Sequence, residues 1–334
     1  MDWAGEYEAT FYGEFLNPDN WISQGRFEIL DGSITRDESN LRQSAELTCT
    51  DYDQTQERWI RIYMDVDQNG QRAHEPLFTG IATSPERKID GAVVQRQLEC
   101  YSVLKPCEDV LLPRGWFVPA GTNGANAIRK LLTVTKAPVF VDGTSPNLLE
   151  SIVADEDETN LTMIDLILDA IGWRLQIEGD GTIVLSPFSS EPVARFSARE
   201  RDILQTSLSI ERDWFNCPNV VRVTSGNLIA IARDEDPESP LSVSARGREI
   251  WLGEDDVDLS DQESIGQYAE RLLAEEQEVG ETASYTRCYL PEVNVGDVVT
   301  LNYDEIQGDY VVSSQDISLT YGGETSEEVK WLRH

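Results

Sequence analysis

The sequence predicts a mainly β protein with an α+β insert: two similar β domains, each a small sandwich or barrel, flanking a smaller α+β domain. Three observations carry this expectation. Ser33-Ile34-Thr35-Arg36-Asp37-Glu38-Ser39-Asn40 and Ser209-Ile210-Glu211-Arg212-Asp213-Trp214-Phe215-Asn216 share the pattern S-I-x-R-D-x-x-N. Each copy precedes a stretch of period two, Ala45–Cys49 and Val221–Thr224, and heads a segment rich in hairpin signals, as expected of a duplicated β domain. Between the copies the apolar period changes to that of helices. The expected organisation is an N-terminal arm or strand at 1–24, a first barrel at 25–122, an α+β insert at 123–200, and a second barrel with one helix at 201–334.

Residues 1–24 are aromatic and acidic, with Tyr7, Phe11, Tyr12, Phe15 and Trp21. Gly25–Leu30, Ala45–Cys49 and Arg58–Met64 alternate as strands, and Asn69-Gly70 marks a tight hairpin turn. Pro76–Ala82 is a further strand, and Lys88-Ile89-Asp90-Gly91 turns the chain into Ala92–Cys100. Lys105-Pro106 opens a loop with Pro113-Arg114-Gly115-Trp116-Phe117-Val118-Pro119, where two prolines and a glycine disfavour regular structure. Trp116 and Phe117 there either cover a core edge or serve as a contact point.

In the insert, Asn126–Leu132 is a short helix and Pro146–Val153 a second candidate. A third begins at Asn160 as cap, carries Leu161, Ile164, Leu168 and Ile171 on one face, and stops at Gly172. Trp173–Ile177 and Thr182–Leu185 flank Asp180-Gly181 as a hairpin. A polar connection ends near Arg199-Glu200-Arg201-Asp202. Asn227–Ala232 is a strand, and Gln262–Glu276 a helix striped by Ile265, Tyr268, Ala269, Leu272 and Leu273. Val295–Leu301 is a strand, Gly308–Ser314 and Ile317–Tyr321 form a strand pair, and Gly322-Gly323 turns into a last strand, Glu328–Leu332.

Charge narrows the function classes. The 334 residues hold 61 Asp and Glu against 27 Lys and Arg, a formal net charge of −34, and only five lysines: Lys88, Lys105, Lys130, Lys136 and Lys330. Such a surface repels phosphate backbones and anionic lipid. Two readings of the acidity stand. An acidic channel wall lets DNA pass without adhering; a protein working in molar salt tolerates self-repulsion because the Debye length is about 3 Å there. No apolar run reaches the length of a membrane span, and the start, Met1-Asp2-Trp3-Ala4-Gly5-Glu6, does not read as a signal peptide. Five cysteines without a C-x-x-C pair point to reduced thiols, with Cys49 and Cys100 as small buried hydrophobes.

Catalytic signatures are missing. The histidines are His74 and His334, so a His-based triad would rest on His74, which the Asn-Gly turn places in a solvated loop. Gly121-Thr122-Asn123-Gly124 lacks the Lys-Ser/Thr of a phosphate loop and reads as a turn. Asp155–Glu158 and Asp234–Asp236 are candidates for calcium but lack the ligand spacing and glycine of a calcium loop, and read as solvated loops. A carboxylate-based glycan hydrolase remains as an alternative, although nothing singles out two acids; a glycan-binding adhesin using Trp116 and Phe117 is a further one. No catalytic, cofactor-binding or metal-binding residue is assigned, and no cofactor is expected.

Several segments, in order, resemble the hub proteins at the tail tip of tailed viruses: Phe78-Thr79-Gly80-Ile81, Leu98–Ser102, Leu104-Lys105-Pro106, Ile128–Leu132, Leu166–Trp173 with Asp180–Ile183, Cys217–Val223, Val295–Val299 and Gly308–Val312. The similarity covers most of residues 25–334. It implies tube-type barrels, two per chain, three chains of which form a homotrimeric pseudo-sixfold ring. That ring would join the tail tube or a distal tail protein to the threefold tip, beside the tape measure protein and tail fibre or tip proteins. Genome DNA would pass through without specific binding, and this chain would not insert into membranes. The implied location is the virion tail tip, after assembly in the host cytoplasm. No hydrolase or long receptor-binding region follows the resembling segments, so host-wall digestion is not expected. Acidity and scarce lysine point to a virus of a halophilic host.

Overall fold

A computed structural model gives the fold and describes residues 1, 3, 7–38, 41–50, 52, 57–90, 93–197, 208–212, 214–226, 228–255, 262–277, 281–304, 306–320 and 323–332. Expectations that fall on Asp2, Ala4–Glu6, Ser39, Asn40, Gly91, Ala92, Arg199–Asp202, Asp213, Asn227, Tyr321, Gly322 and His334 lie outside the described residues. The chain divides into two compact units, Met1–Ser209 with Ser284–His334, and Ile210–Ala283.

The first unit begins with six strands: β1 (Glu8–Leu16), β2 (Ser23–Asp37), β3 (Gln43–Thr50), β4 (Arg58–Gln68), β5 (Gln71–Asp90) and β6 (Val93–Ser102). Their order is β1-β4-β5-β6-β3-β2, and β2 pairs back onto β1, so the sheet closes into a barrel that leaves no free side at β1. Alternation fills it: Ile60, Ile62, Met64 and Val66 of β4 face inward with Leu47, Leu77, Phe78 and Leu98. Asn69 and Gly70, at φ 52° and 85°, make the two-residue turn between β4 and β5. At Gly13 a Cβ would fall 2.0 Å from the Phe27 ring, so a side chain there would displace that ring.

β2 changes partner midway. Ser23–Glu28 pair with β1; a bulge between Ile29 and Asp31 then shifts the phase, so that buried Phe27 and Ile29 give way to buried Ile34 and Arg36. His74 lies in β5 rather than in a loop, because the tight turn starts the second strand at once. Lys88-Ile89-Asp90 likewise belongs to the same continuous β5 as Pro76–Ala82, which absorbs a register irregularity between Thr83 and Glu86.

The insert follows: α1 (Lys105–Asp109), β7 (Phe117–Val118), α2 (Gly124–Leu131), β8 (Val139–Val141), β9 (Ile152–Val153), α3 (Asn160–Ile171), β10 (Trp173–Ile177) and β11 (Ile183–Pro187). Leu161, Ile164 and Leu168 of α3 pack with Ile128 and Leu131 of α2 and with Leu175 and Leu185 of the β10–β11 hairpin. Three expectations are corrected here. Lys105-Pro106 opens a helical turn, because proline suits the first turn, where its missing N–H costs nothing. Pro146–Val153 is not helical: Leu148 N bonds to Thr122 O at 2.8 Å, and Ile152 and Val153 pair with β7. The cap of α3 is Thr159, whose hydroxyl accepts from Thr162 N at 3.2 Å, while Asn160 is buried and donates to Leu131 O. Gly172, at φ 63°, ends that helix as expected.

The remaining elements are β12 (Pro192–Ser197), β13 (Ser209–Glu211), β14 (Val220–Ser225), β15 (Leu228–Arg233), α4 (Val243–Arg246), β16 (Trp251–Glu254), α5 (Gln262–Gln277), β17 (Thr282–Cys288), β18 (Val298–Tyr303), β19 (Ile306–Ser318) and β20 (Glu324–Trp331). The strand order β13-β17-β20-β19-β18-β12 reproduces β2-β3-β6-β5-β4-β1 of the first barrel stave for stave. One departure is that β12 runs parallel to β18, whereas β1 runs antiparallel to β4. The counterpart of β3 is therefore β17. Val221–Thr224, which follows the second repeat in sequence, is β14 and belongs to another sheet. Gly308–Ser314 and Ile317–Tyr321 are not paired strands; residues through Ser318 form the single strand β19.

The second unit runs in the chain from within β13 to within β17. Its sheet has the order β15-β14-β16, and α5 covers one face, packing Ile265, Ala269 and Leu273 on Val221 and Val223. Asn219 pins the unit internally. Its amide donates to Leu241 O and Arg248 O, and its side-chain oxygen accepts from Ile250 N at 2.7 Å. All five cysteines are free thiols, four of them buried; burial pushes the thiols of Cys49 and Cys107 up to about 12.

Candidate functional site at the seam between the barrels

The two sets of six strands are one continuous sheet because β19, like β2, uses one edge twice. Its first half, Ile306–Val311, pairs with β18; its second half, Ser314–Ser318, pairs with Ser33–Asp37 of β2; β20 occupies the other edge. The first copy of the repeat is thus the seam strand. Ile34 sits opposite Ile317, and Thr35 Oγ1 donates to Asp316 Oδ2 at 3.1 Å. Arg36, 4% exposed, lies opposite Gln315 and donates to Asn294 Oδ1 at 2.7 Å and to Leu77 O at 2.8 Å.

Behind Gln315 lies a buried ion pair. Arg287 on β17 and Glu327 on β20 meet in a two-point contact, Nε to Oε2 at 2.9 Å and Nη2 to Oε1, and Gln315 Nε2 donates to the same Oε1 at 2.6 Å. The insert ties into the first barrel and into the segment that leads into β18. Arg61 Nη2 donates to Asp180 O, Thr79 Oγ1 to Gly179 O, and Gln43 Nε2 to Ile177 O. Gln176 Nε2 donates to Val295 O at 2.8 Å, Arg174 Nη1 donates to Gly296 O, and Arg174 pairs with Asp297. Gly179 is the close approach: a Cβ there would fall 1.8 Å from Pro76 O. Burial raises the carboxyls of Asp165 and Glu178 above their ordinary range despite Arg42 and Arg36 nearby. A cleft of ≈ 200 Å³, lined by Arg36, Arg42, Gln43, Trp173 and Arg174, lies along this junction.

These groups hold elements together. His74 Nδ1 meets Asp65 Oδ1 at 2.6 Å and Tyr12 Oη at 3.3 Å on the barrel surface, stacked on Tyr63, with no serine or cysteine nucleophile in its bonds. Asp234 is a buried staple rather than a solvated acid, accepting from Asp236 N, Ser239 Oγ and Gln277 Nε2. Among the described residues, no three His, Cys, Asp or Glu side chains group to hold a metal ion. The side-chain oxygen of Asn123 caps α2 by accepting from Asn126 N; Gly121 lies in a turn, whereas Gly124 already begins the helix. Trp116 packs partly buried on the insert core, whereas Phe117 is 55% exposed, opposite the equally exposed Val153. No helix among the described residues is long and apolar enough to cross a membrane.

No protein-family model and no curated protein sequence matches the chain. Solved structures match over nearly its whole length. A tail protein from Neisseria meningitidis is 19% identical, with 98% of this chain and 97% of that one covered and a TM-score of 0.67. The 43 kDa tail protein of prophage MuSo2 from Shewanella oneidensis is 13% identical, with 96% and 98% covered and a TM-score of 0.66. A PdpA–VgrG complex from Francisella matches 97% of this chain and 58% of its own at 8% identity, with a TM-score of 0.60. The chain is thus similar in fold to these proteins, mainly β with several sheets.

Proposed function

We propose that the protein is a structural hub at the tip of a virus tail. Three copies would form a homotrimeric ring with six barrel positions, which joins the tail tube or distal tail protein to a threefold tip. The observation that carries this reading is the repeated strand order: one chain supplies two six-strand sets of the same stave sequence, already joined by the pairing of β2 with β19. Three such chains present six similar walls, the arrangement that matches a sixfold tube to a threefold tip. The likeness in fold to tail proteins supports the same reading.

The net charge of −34 suits a channel through which DNA passes without adhering, because a like-charged wall neutralises no phosphates and releases no counterions. The exposed apolar pair Phe117 and Val153, with Leu111 and Leu149 exposed nearby in sequence, suits contact with neighbouring tail proteins such as the tape measure or the tip. Residence in the virion, assembly in the host cytoplasm and a halophilic host belong to the same reading. A salt-dependent Tm rising between dilute and molar salt would support the last of these.

Electron micrographs of the purified protein at high concentration test the reading. Class averages are expected to show a ring of six lobes alternating between two kinds. Solitary particles without rings, together with release of sugars from host glycans, would favour the hydrolase alternative instead.

A further inference from the structure

The seam within one chain specifies how two chains meet. β5 occupies the position in the first barrel that β19 occupies in the second, and the two strands match in detail. Each is paired by the preceding strand only through its first half, the last pairs being Arg58↔Ala82 and Val298↔Val311. Each then shows a register irregularity against the following strand, Thr83/Glu86 and Val312/Ser314. Counting from there, Glu86 corresponds to Ser314, Lys88 to Asp316, Ile89 to Ile317 and Asp90 to Ser318. The distal half of β19 receives β2 on its open edge. Among the described residues no strand pairs with the same edge of β5 beyond Ala82. The counterpart of β2 is β13, which ends the strand order and carries the second copy of the repeat.

We propose that the open edge of β5, Glu86–Asp90, receives β13 of a second copy of this chain in the register that joins β2 to β19. This inference rests on the hub reading and names its intermolecular contact. The register pairs Ser209 with Asp90, Ile210 with Ile89 and Glu211 with Lys88. Two features favour this occupant. Ile89 is 62% exposed, whereas its counterpart Ile317 is 1% exposed under β2, so a β13 strand would cover what the seam covers. Lys88, one of five lysines in a chain of 61 acidic residues, is exposed and falls opposite the exposed Glu211. Strand addition at an open edge supplies main-chain hydrogen bonds, and opposite charges fix the register. The contact is head to tail, so each copy offers one β5 edge and one β13, and a ring closes when the rotation allows.

Full-length chains bearing Ile89→Cys and Ile210→Cys separately are mixed, oxidised with diamide and resolved without reductant. A disulfide-linked pair is expected in the mixture, well above the level for Ile210→Cys mixed with Leu149→Cys, a position 93% exposed elsewhere. Light scattering on the unmodified chain accompanies the gel. Association without cross-linking overturns the β5–β13 contact and leaves the ring standing. Absence of both association and cross-linking overturns the ring and the contact together. As a second measurement, Lys88→Glu and Glu211→Lys are each expected to weaken association roughly fivefold or more, and the double variant to restore it. If Lys88 merely guards an edge against aggregation, Lys88→Ala strengthens association instead, and the pairing is wrong.

Discussion

Ile34 of β2 lies directly opposite Ile317 of β19, the two 0% and 1% exposed, and this pair is the apolar centre of the seam joining the two six-strand sets of one chain. Ile317→Ala removes buried methyl groups from a site fixed on both sides by ladder hydrogen bonds, so the cavity cannot collapse. The expected loss is about 2–4 kcal/mol, read as a lower urea midpoint with an unchanged slope.

Arg287 and Glu327 are buried so completely that neither charge tolerates loss of the other; their side chains are 1% and 0% exposed. Arg287→Met leaves a carboxylate without its cation and is expected to cost roughly 3–5 kcal/mol. The double variant Arg287→Met, Glu327→Met should recover most of that loss, because an apolar pair carries no desolvation penalty. Thermal unfolding of the four proteins of this cycle measures it.

Gly179 presses its backbone on Pro76, where a Cβ would fall 1.8 Å from a carbonyl oxygen. Gly179→Ala forces the hairpin tip away from β5 and strains the Thr79 to Gly179 hydrogen bond. A loss of about 1–3 kcal/mol is expected, against little effect from Gly70→Ala beyond its backbone strain, since nothing lies within 4 Å there.

The carboxyls of Asp165 and Glu178 titrate above their ordinary values, 3.8 and 4.5, chiefly because burial disfavours the charged form. The folded protein therefore holds these protons more tightly than the unfolded chain does. The resulting penalty is full above the folded-state values and disappears below the ordinary ones, so these two groups make stability fall as pH rises through that window. Glu178→Gln should raise Tm at pH 7, with the gain shrinking as pH approaches 4; a constant gain across that range would contradict the assignment.

Much of this architecture is legible in the chain because it is local. Asn69-Gly70 announces its turn, Leu161, Ile164 and Leu168 announce the buried face of α3, and Gly172 announces where it stops. The errors come where pairing across the fold overrides local signals. Bulges let β5 run on through Lys88–Asp90, where composition shows a turn, and let β19 run on where it shows two strands, and pairing with β7 keeps Ile152–Val153 extended. The insertion of Ile210–Ala283 made β14 look like the counterpart of β3, a place held by β17. The seam itself was hidden, since Ser33–Asp37 and Ser314–Ser318 meet only in the folded chain.

The mass of the protein in solution, by light scattering over a wide concentration range, tests the ring most directly. Three chains of 37.5 kDa should give a particle of about 112 kDa at the upper end. A mass that stays at 37.5 kDa at every concentration and ionic strength would contradict a ring that closes through the chain's own strand edges.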